Sequence, residues 1–214
     1  MDWLSYVLPQ LLIKTSSRFN LDIRVVKDAG KNKLMVNGIH ESSEYIAKFW
    51  SQAIKRLEVN PKMRVKNILI FGVAGGTVIH MLSKIFPHAH MLGVDIDTTM
   101  IDLGKKYFDL DQISNLSFVT ADAKKYVQAK HKQVYDLIVV DIYIGRDLPD
   151  FLRDQKFLFG VEKNLVPGGY VLMNYLRDGE YEKKAKDLEK KLQRAFPHVT
   201  SADYLNNRFF LARK

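Results

Sequence analysis

Cysteine is absent from this 214-residue chain, which excludes disulfides, thiolate metal sites and cysteine nucleophiles and leans toward a reducing compartment. No apolar run reaches the roughly 20 residues that span a bilayer. The first residues, MDWLSYVLPQLLIK, have neither a basic head nor a small-residue cleavage site, so the cytoplasm is expected and a membrane partner is not. Internal repeats, low-complexity segments and long linkers are also lacking. The six histidines, His40, His80, His88, His90, His131 and His198, show no ligand spacing among themselves or with acids, so no metal is expected. No Ser and His arrangement suggests a hydrolase. Acidic residues are in short supply, 24 against 33 Lys and Arg, a net charge of +9. Such a charge raises the odds of nucleic acid as a partner. The basic residues are nevertheless spread in pairs such as Lys105–Lys106, Lys124–Lys125 and Lys190–Lys191, which suit solvated helix faces.

What is present is a globular composition, 47% hydrophobic, enough for one domain with an appendage. From residue 67 onward, short apolar runs alternate with segments of helical period. NILIFG, MLGVDI, LSFVT, YDLIVVD and GYVLMNY read as strands, and TVIHMLSKIF, TTMIDLGKKYF, ADAKKYVQAK and DLPDFLRDQKFLFGVEKNL as the helices between them. Helical crossovers require a parallel, doubly wound sheet. After the helix GEYEKKAKDLEKKLQRAF, only Leu205-Asn206-Asn207 separates HVTSADY from RFFLAR, too short for a crossover, so the last two strands form an antiparallel hairpin. A seven-stranded α/β sheet with an antiparallel last strand is the methyltransferase (Rossmann-like) architecture. Near the start, LDIRVVKD and KLMVNG read as a small β-hairpin, and SSEYIAKFWSQAIKRL as a helix. Residues 1–45 are expected to form an N-terminal helix and β-hairpin appendage, and residues 46–214 the nucleotide-binding domain. A lone hairpin needs something to pack on. The ligand edge of the sheet or a homodimer interface would serve.

The chemistry concentrates at FGVAGGT, residues 71–77. In open parallel sheets, ligands lie beyond the carboxyl ends of the strands, where the strand order reverses. Gly72, Gly75 and Gly76 sit there with the spacing G-x-x-G-G rather than the G-x-G-x-x-G of dinucleotide sites. The alternative is a tight strand-to-helix turn. Asp95 ends the next strand, where a carboxylate takes both ribose hydroxyls; Ile96 after it can lie flat on an adenine. Asp122 and Ala123, in TADAKKY, follow the third strand beside the adenine amino group. Each has a structural reading as well: Asp95 or Asp97 and Asp122 as helix caps, Ile96 as core. Together at three successive strand ends they suit adenosine.

In this order and spacing FGVAGGT, GVDID, TADAKKY and YDLIVVD resemble the S-adenosylmethionine-type nucleotide site of class I methyltransferase-fold proteins, and especially the polyamine aminopropyltransferase (spermidine synthase) branch. LMVNGIHESS resembles that family's strand L-x-L-D-G-x-x-Q-[ST]. The resemblance covers roughly residues 20 to 175. It implies an enzyme binding S-adenosylmethionine or its decarboxylated form. It also implies a base at Asp141, the first acid of the family's D-x-x-D-P, with Tyr143 next; Asp141 as a strand-end carboxylate and Tyr143 as a lid aromatic are the plainer readings.

Five positions depart from the family. Ala74 stands where the glycine turn has an acid that holds the nucleotide's amino group. Ile144 stands at the second Asp, which grips the polyamine. Trp50-Ser51 replace a Tyr-His pair, and Glu41 falls at the glutamine. The acceptor grip thus rests on Glu41 and Asp141, with Asp147 and Asp150 near in sequence. Because the sulfonium site is intact and the polyamine grip is not, methyl transfer to an unknown small-molecule acceptor, an amine among the candidates, is the first expectation. Aminopropyl transfer is the second, and a non-catalytic nucleoside-binding or scaffold protein the third.

Overall fold

The computed structural model describes residues 3–130, 132–145 and 147–214. The N-terminal part is a four-stranded antiparallel sheet in the order β1 (Gln10–Thr15), β2 (Ile23–Asp28), β3 (Lys31–Val36) and β4 (Ile39–Ser42). The expected hairpin is its centre. Ala29-Gly30 and Asn37-Gly38 both have positive φ, the geometry of two-residue hairpin turns. The second of these turns returns the chain as β4. Among the described residues no N-terminal helix forms: after a 3-10 turn over Trp3–Tyr6, the run QLLIKT after Pro9 pairs with β2 as a strand.

α1 (Glu44–Arg56) is capped by Ser43, whose hydroxyl accepts from the Ile46 amide. Its apolar residues at three- and four-residue spacing, Phe49, Trp50, Ala53 and Ile54, are buried on one face of the large sheet. That sheet is built from β5 (Asn67–Phe71), β6 (His90–Asp95), β7 (Leu116–Thr120), β8 (Tyr135–Val140), β9 (Leu165–Leu176), β10 (His198–Tyr204) and β11 (Asn207–Arg213). Its order is β10-β11-β9-β8-β5-β6-β7, and the β5, β6, β7, β8 and β9 ladders are parallel. β11 runs antiparallel between β9 and β10, as the short Leu205–Asn207 gap requires. The order reverses at β5, which lies between β6 and β8.

The crossovers are α2 (Thr77–Ile85), α3 (Thr98–Tyr107), α4 (Ala123–Tyr126), α5 (Gln155–Lys163) and α6 (Tyr181–Ala195). Two differ from the periodicity. The helix expected over ADAKKYVQAK is a single turn, α4, followed by Val127 as the one fully buried residue of that stretch. The long helix expected over DLPDFLRDQKFLFGVEKNL is broken, since Pro149 opens a 3-10 turn over Asp150–Arg153 and extended Asp154 separates it from α5. The N-terminal sheet sits over the carboxyl edge of the large sheet. Ile23, Val25, Leu34 and Val36 pack on Met100 and Leu103 of α3, with Ala74 at the margin. Ser17 and Asn20 hydrogen-bond the Asp97 carboxylate, which itself caps α3 through the Thr99 amide.

Candidate active site

Two cavities open at the carboxyl ends of the parallel strands. The smaller, about 350 Å³, is walled by Asp95, Ile96, Asp122 and Ala123 opposite Phe19 and Asn20. The larger, about 1000 Å³, lies between α1, the β9–α6 loop and the β10–β11 turn. Glu41, Gly72, Ala74, Asp141, Tyr143 and Gly145 line both, so the cavities meet at these residues.

The glycines are placed by close approach. Gly72 has φ +90°, and a Cβ there would overlap the backbone carbonyl of Asp141 on the adjacent strand end. A Cβ on Gly75 would run into Ser42, whose hydroxyl accepts from the Gly75 amide at 3.0 Å. Gly76, at φ +72°, packs on Leu110. The turn is therefore tight for structural reasons; Gly72, Val73 and Ala74 line the cavities, whereas Gly75 and Gly76 line neither. Ala74 is left-handed, with φ +44°.

Asp95 anchors the smaller cavity. Its Oδ2 accepts from the Val73 amide at 2.8 Å and its Oδ1 from the Asp97 amide at 2.9 Å. The Ala74 amide donates to the same carboxylate, and the lone-pair capacity these three donors leave is open to a ribose hydroxyl. Burial raises its pKa, and the backbone donors hold the rise in check. Ile96 is 43% exposed and so is not core; its face is open to the cavity. Asp122 caps α4 through Oδ1, which accepts from the Lys124 amide at 2.8 Å. Among the described residues nothing bonds its Oδ2. The cap and the ligand reading are compatible, one oxygen for each.

Asp141 lies at the junction. Its Oδ1 accepts from Asn174 Nδ2 at 3.0 Å, and the Trp50 side chain donates a second hydrogen bond. Burial pushes its pKa up to about 6 against these two donors. Glu41 is raised further, to about 8, first by burial and then by the Asp141 and Asp95 charges. Tyr143 is held well above its usual range by burial and by Asp141, so it stays protonated and is no base. Its hydroxyl accepts from Asn207 at 2.8 Å. Ile144, 62% exposed, lies on the rim of the smaller cavity and does not line the larger one. Asp147 and Asp150 face away, taken by Tyr181 and Arg153. Asp178 and Glu180 line the mouth of the larger cavity in their place.

Sequence reasoning missed Phe19, Asn20, Asn174, Asn207 and this acidic pair. Asn174 had a signal, a lone amide inside the apolar strand GYVLMNY; Asn207 was read only as turn. Among the described residues, no group of three or more His, Asp or Glu side chains is arranged to hold a metal. His131 lies outside the described residues.

The family model for a methyltransferase domain matches residues 64–210. The chain belongs to the methyltransferase-domain family. Membership bears out the doubly wound fold and the S-adenosylmethionine-type cofactor that the motifs implied. Over 117 residues this methyltransferase-domain chain is 32% identical to a polyamine aminopropyltransferase of Vibrio vulnificus strain CMCP6, taking in 54% of the chain and 38% of that relative. The match thus spans little more than a third of the relative's length. A probable spermidine synthase from Corynebacterium glutamicum superposes on 94% of the chain and 79% of its own, with a TM-score of 0.79 and 16% identity. Human methyltransferase-like protein 13 in complex with SAH superposes on 72% of the chain and 75% of its own, with a TM-score of 0.63 and 21% identity. At these identities the two structures speak for the fold.

Proposed function

We propose that this chain transfers an aminopropyl group from decarboxylated S-adenosylmethionine to a cationic amine. One observation carries the amine. In a chain of net charge +9, Glu41, Asp141, Asp178 and Glu180 line the larger cavity, and no Lys or Arg does among the described residues. Ammonium groups entering it exchange water for carboxylates, which offsets their desolvation. The order of expectations reverses here: methyl transfer led while the polyamine grip looked lost, but Asp178 and Glu180 supply acids that Ile144 does not. The Vibrio vulnificus relative, named for aminopropyl transfer, points the same way.

The residues present fit the nucleotide: a free carboxylate oxygen at Asp122, remaining lone pairs on Asp95, and an open apolar face at Ile96. Asp95 would hold the ribose, Ile96 the adenine face, Asp122 and Ala123 its edge, and Gly72 and Ala74 the sulfonium end. When bound, the nucleotide supplies an electrophilic carbon: the amine lone pair forms the N–C bond while the C–S pair leaves with the thioether sulfur. Asp141 takes the proton the ammonium must lose, its pKa near 6 letting it accept at neutral pH. The second lone pair of Tyr143 Oη can accept from an ammonium of the acceptor, and Glu41 balances a second positive charge.

Methyl transfer from S-adenosylmethionine remains a second reading because of Ala74. Ala74 lines both cavities, so a methionine carboxylate reaching the turn meets no acid at that position. The deciding experiment incubates the protein with each nucleotide and putrescine or spermidine and reads products by mass spectrometry. Aminopropylated amine supports the first reading, and methylated amine from S-adenosylmethionine the second. A homodimer through the N-terminal sheet belongs to the proposal, since Leu8, Leu11 and Leu21 are 70%, 58% and 85% exposed there. Sedimentation tests it. No helix among the described residues is long and apolar enough to cross a membrane, and the cytoplasm is the compartment proposed.

A further inference from the structure

We infer that Asn207 is a positioning residue for the base Asp141, acting through Asn174; the inference rests on the amine-transfer reading. An amide side chain has one end that donates and one that accepts, so it transmits direction along a chain of hydrogen bonds. Asn174 in β9 pairs with Phe209, and Asn207 stands two residues before Phe209 on β11, which makes the two asparagines diagonal neighbours on one face. Asn207 Nδ2 donates to Asn174 Oδ1 at 2.8 Å and to Tyr143 Oη at 2.8 Å. With its carbonyl so engaged, Asn174 turns its Nδ2 to Asp141 Oδ1.

Two consequences follow from that direction. Asn174 can only donate to Asp141, and so can the Trp50 indole, so both favour the carboxylate over the acid. They oppose the burial of Asp141, which favours the acid; Glu41 on β4 and Tyr143 line the same cavities, and Glu41 keeps its own proton up to about 8. The second concerns Tyr143. Its oxygen accepts a hydrogen bond from Asn207 Nδ2, which leaves its own O–H free to rotate beside the cavities it lines. Without Asn207, Asn174 is free to rotate and present its carbonyl to Asp141, which a carboxylate repels and to which a protonated acid donates its O–H. Both asparagines are buried, at 4% and 8% exposure, in a layer where Trp50 packs edge-on against Phe209. An apolar side chain would fill either place, so the amides are there for direction rather than volume.

The test follows Asp141 by carboxyl-carbon NMR titration of the ligand-free protein, comparing wild type with Asn207→Leu, Asn174→Leu and the double variant. Asn207→Leu is expected to raise the Asp141 midpoint by about one pH unit, a tenfold gain in proton affinity. In the Asn174→Leu background the same substitution should add nothing, because the link is already cut. Where Asn207→Leu fails to fold, Asn207→Ser, too short to bridge both partners, must show the same rise. An unmoved midpoint, or an equal shift with Asn174 already replaced, overturns the role. The titration needs neither nucleotide nor acceptor. A shifted midpoint in a protein that makes no aminopropylated amine therefore supports the relay and counts only against the transfer reading.

Discussion

Glu41 is the side chain whose charge depends most on what fills the cavities. With its pKa at about 8, first through burial and then through Asp141 and Asp95, it is largely protonated in the free protein at neutral pH. A bound cation favours the anion, so binding a sulfonium nucleotide should release a proton. Affinity for that nucleotide is expected to rise from pH 6 to 8 and level off above, and the uncharged thioether should show little of this. Calorimetry in buffers of different ionisation enthalpy measures the release, and Glu41→Gln should abolish it. At Asp95 the hydrogen bonds to the Val73 and Asp97 amides mean that truncation would loosen the turn as well as the ligand. Asp95→Asn keeps the side-chain volume and one acceptor oxygen, but its NH2 faces one of these amides, so stability is measured beside binding. It should cost on the order of 1.5–3 kcal/mol of nucleotide binding, roughly 10- to 150-fold in affinity, and unchanged affinity would remove Asp95 from the site. Asp95 and Asp141 were legible because each ends an apolar run, and Glu41 through the family resemblance of LMVNGIHESS. Asn174 and Asn207 were not, since their meaning lies in a contact across strands that no local spacing encodes.

Among the elements, the β5–α2 turn is where sequence and packing are most tightly bound. Gly72→Ala sets a methyl against the Asp141 backbone in a left-handed conformation, and backbone cannot swing aside as a side chain can. A loss of about 3 kcal/mol or more in chemical denaturation is expected. Gly38→Ala has a similar φ, +80°, but open space around it, so backbone strain alone applies, about 1 kcal/mol. Equal costs at the two positions would show that φ, and not the Asp141 contact, makes Gly72 necessary. The parallel strands were readable because burial on both faces makes them continuous apolar runs. β1 was not: the short run QLLIKT has no helix or strand signature apart from its partner β2. The break in the helix before α5 needed more weight on Pro149 than its apolar periodicity allowed.

For the whole molecule, the raised carboxylates reverse the usual dependence of stability on pH. Glu41 and Asp141 bind protons more tightly folded, at about 8 and about 6, than at their ordinary 4.5 and 3.8. The folded state therefore holds more protons between those limits, and the stability they contribute is lost as pH rises from about 4 to about 8. The melting temperature of the ligand-free protein should fall between pH 6 and 8, and a saturating sulfonium nucleotide should recover it. A free protein more stable at pH 8 than at pH 6 would contradict the burial of Glu41. The wall shared by the two cavities carries this further. A cation in either cavity ionises Glu41, so the next cation finds its counter-ion already made. Donor and acceptor should then strengthen each other's binding by one common factor, as reciprocity demands. That mutual help is brokered by a proton, so it belongs to the interval below pH 8. Above it Glu41 is anionic beforehand, and only the repulsion between two positive guests remains.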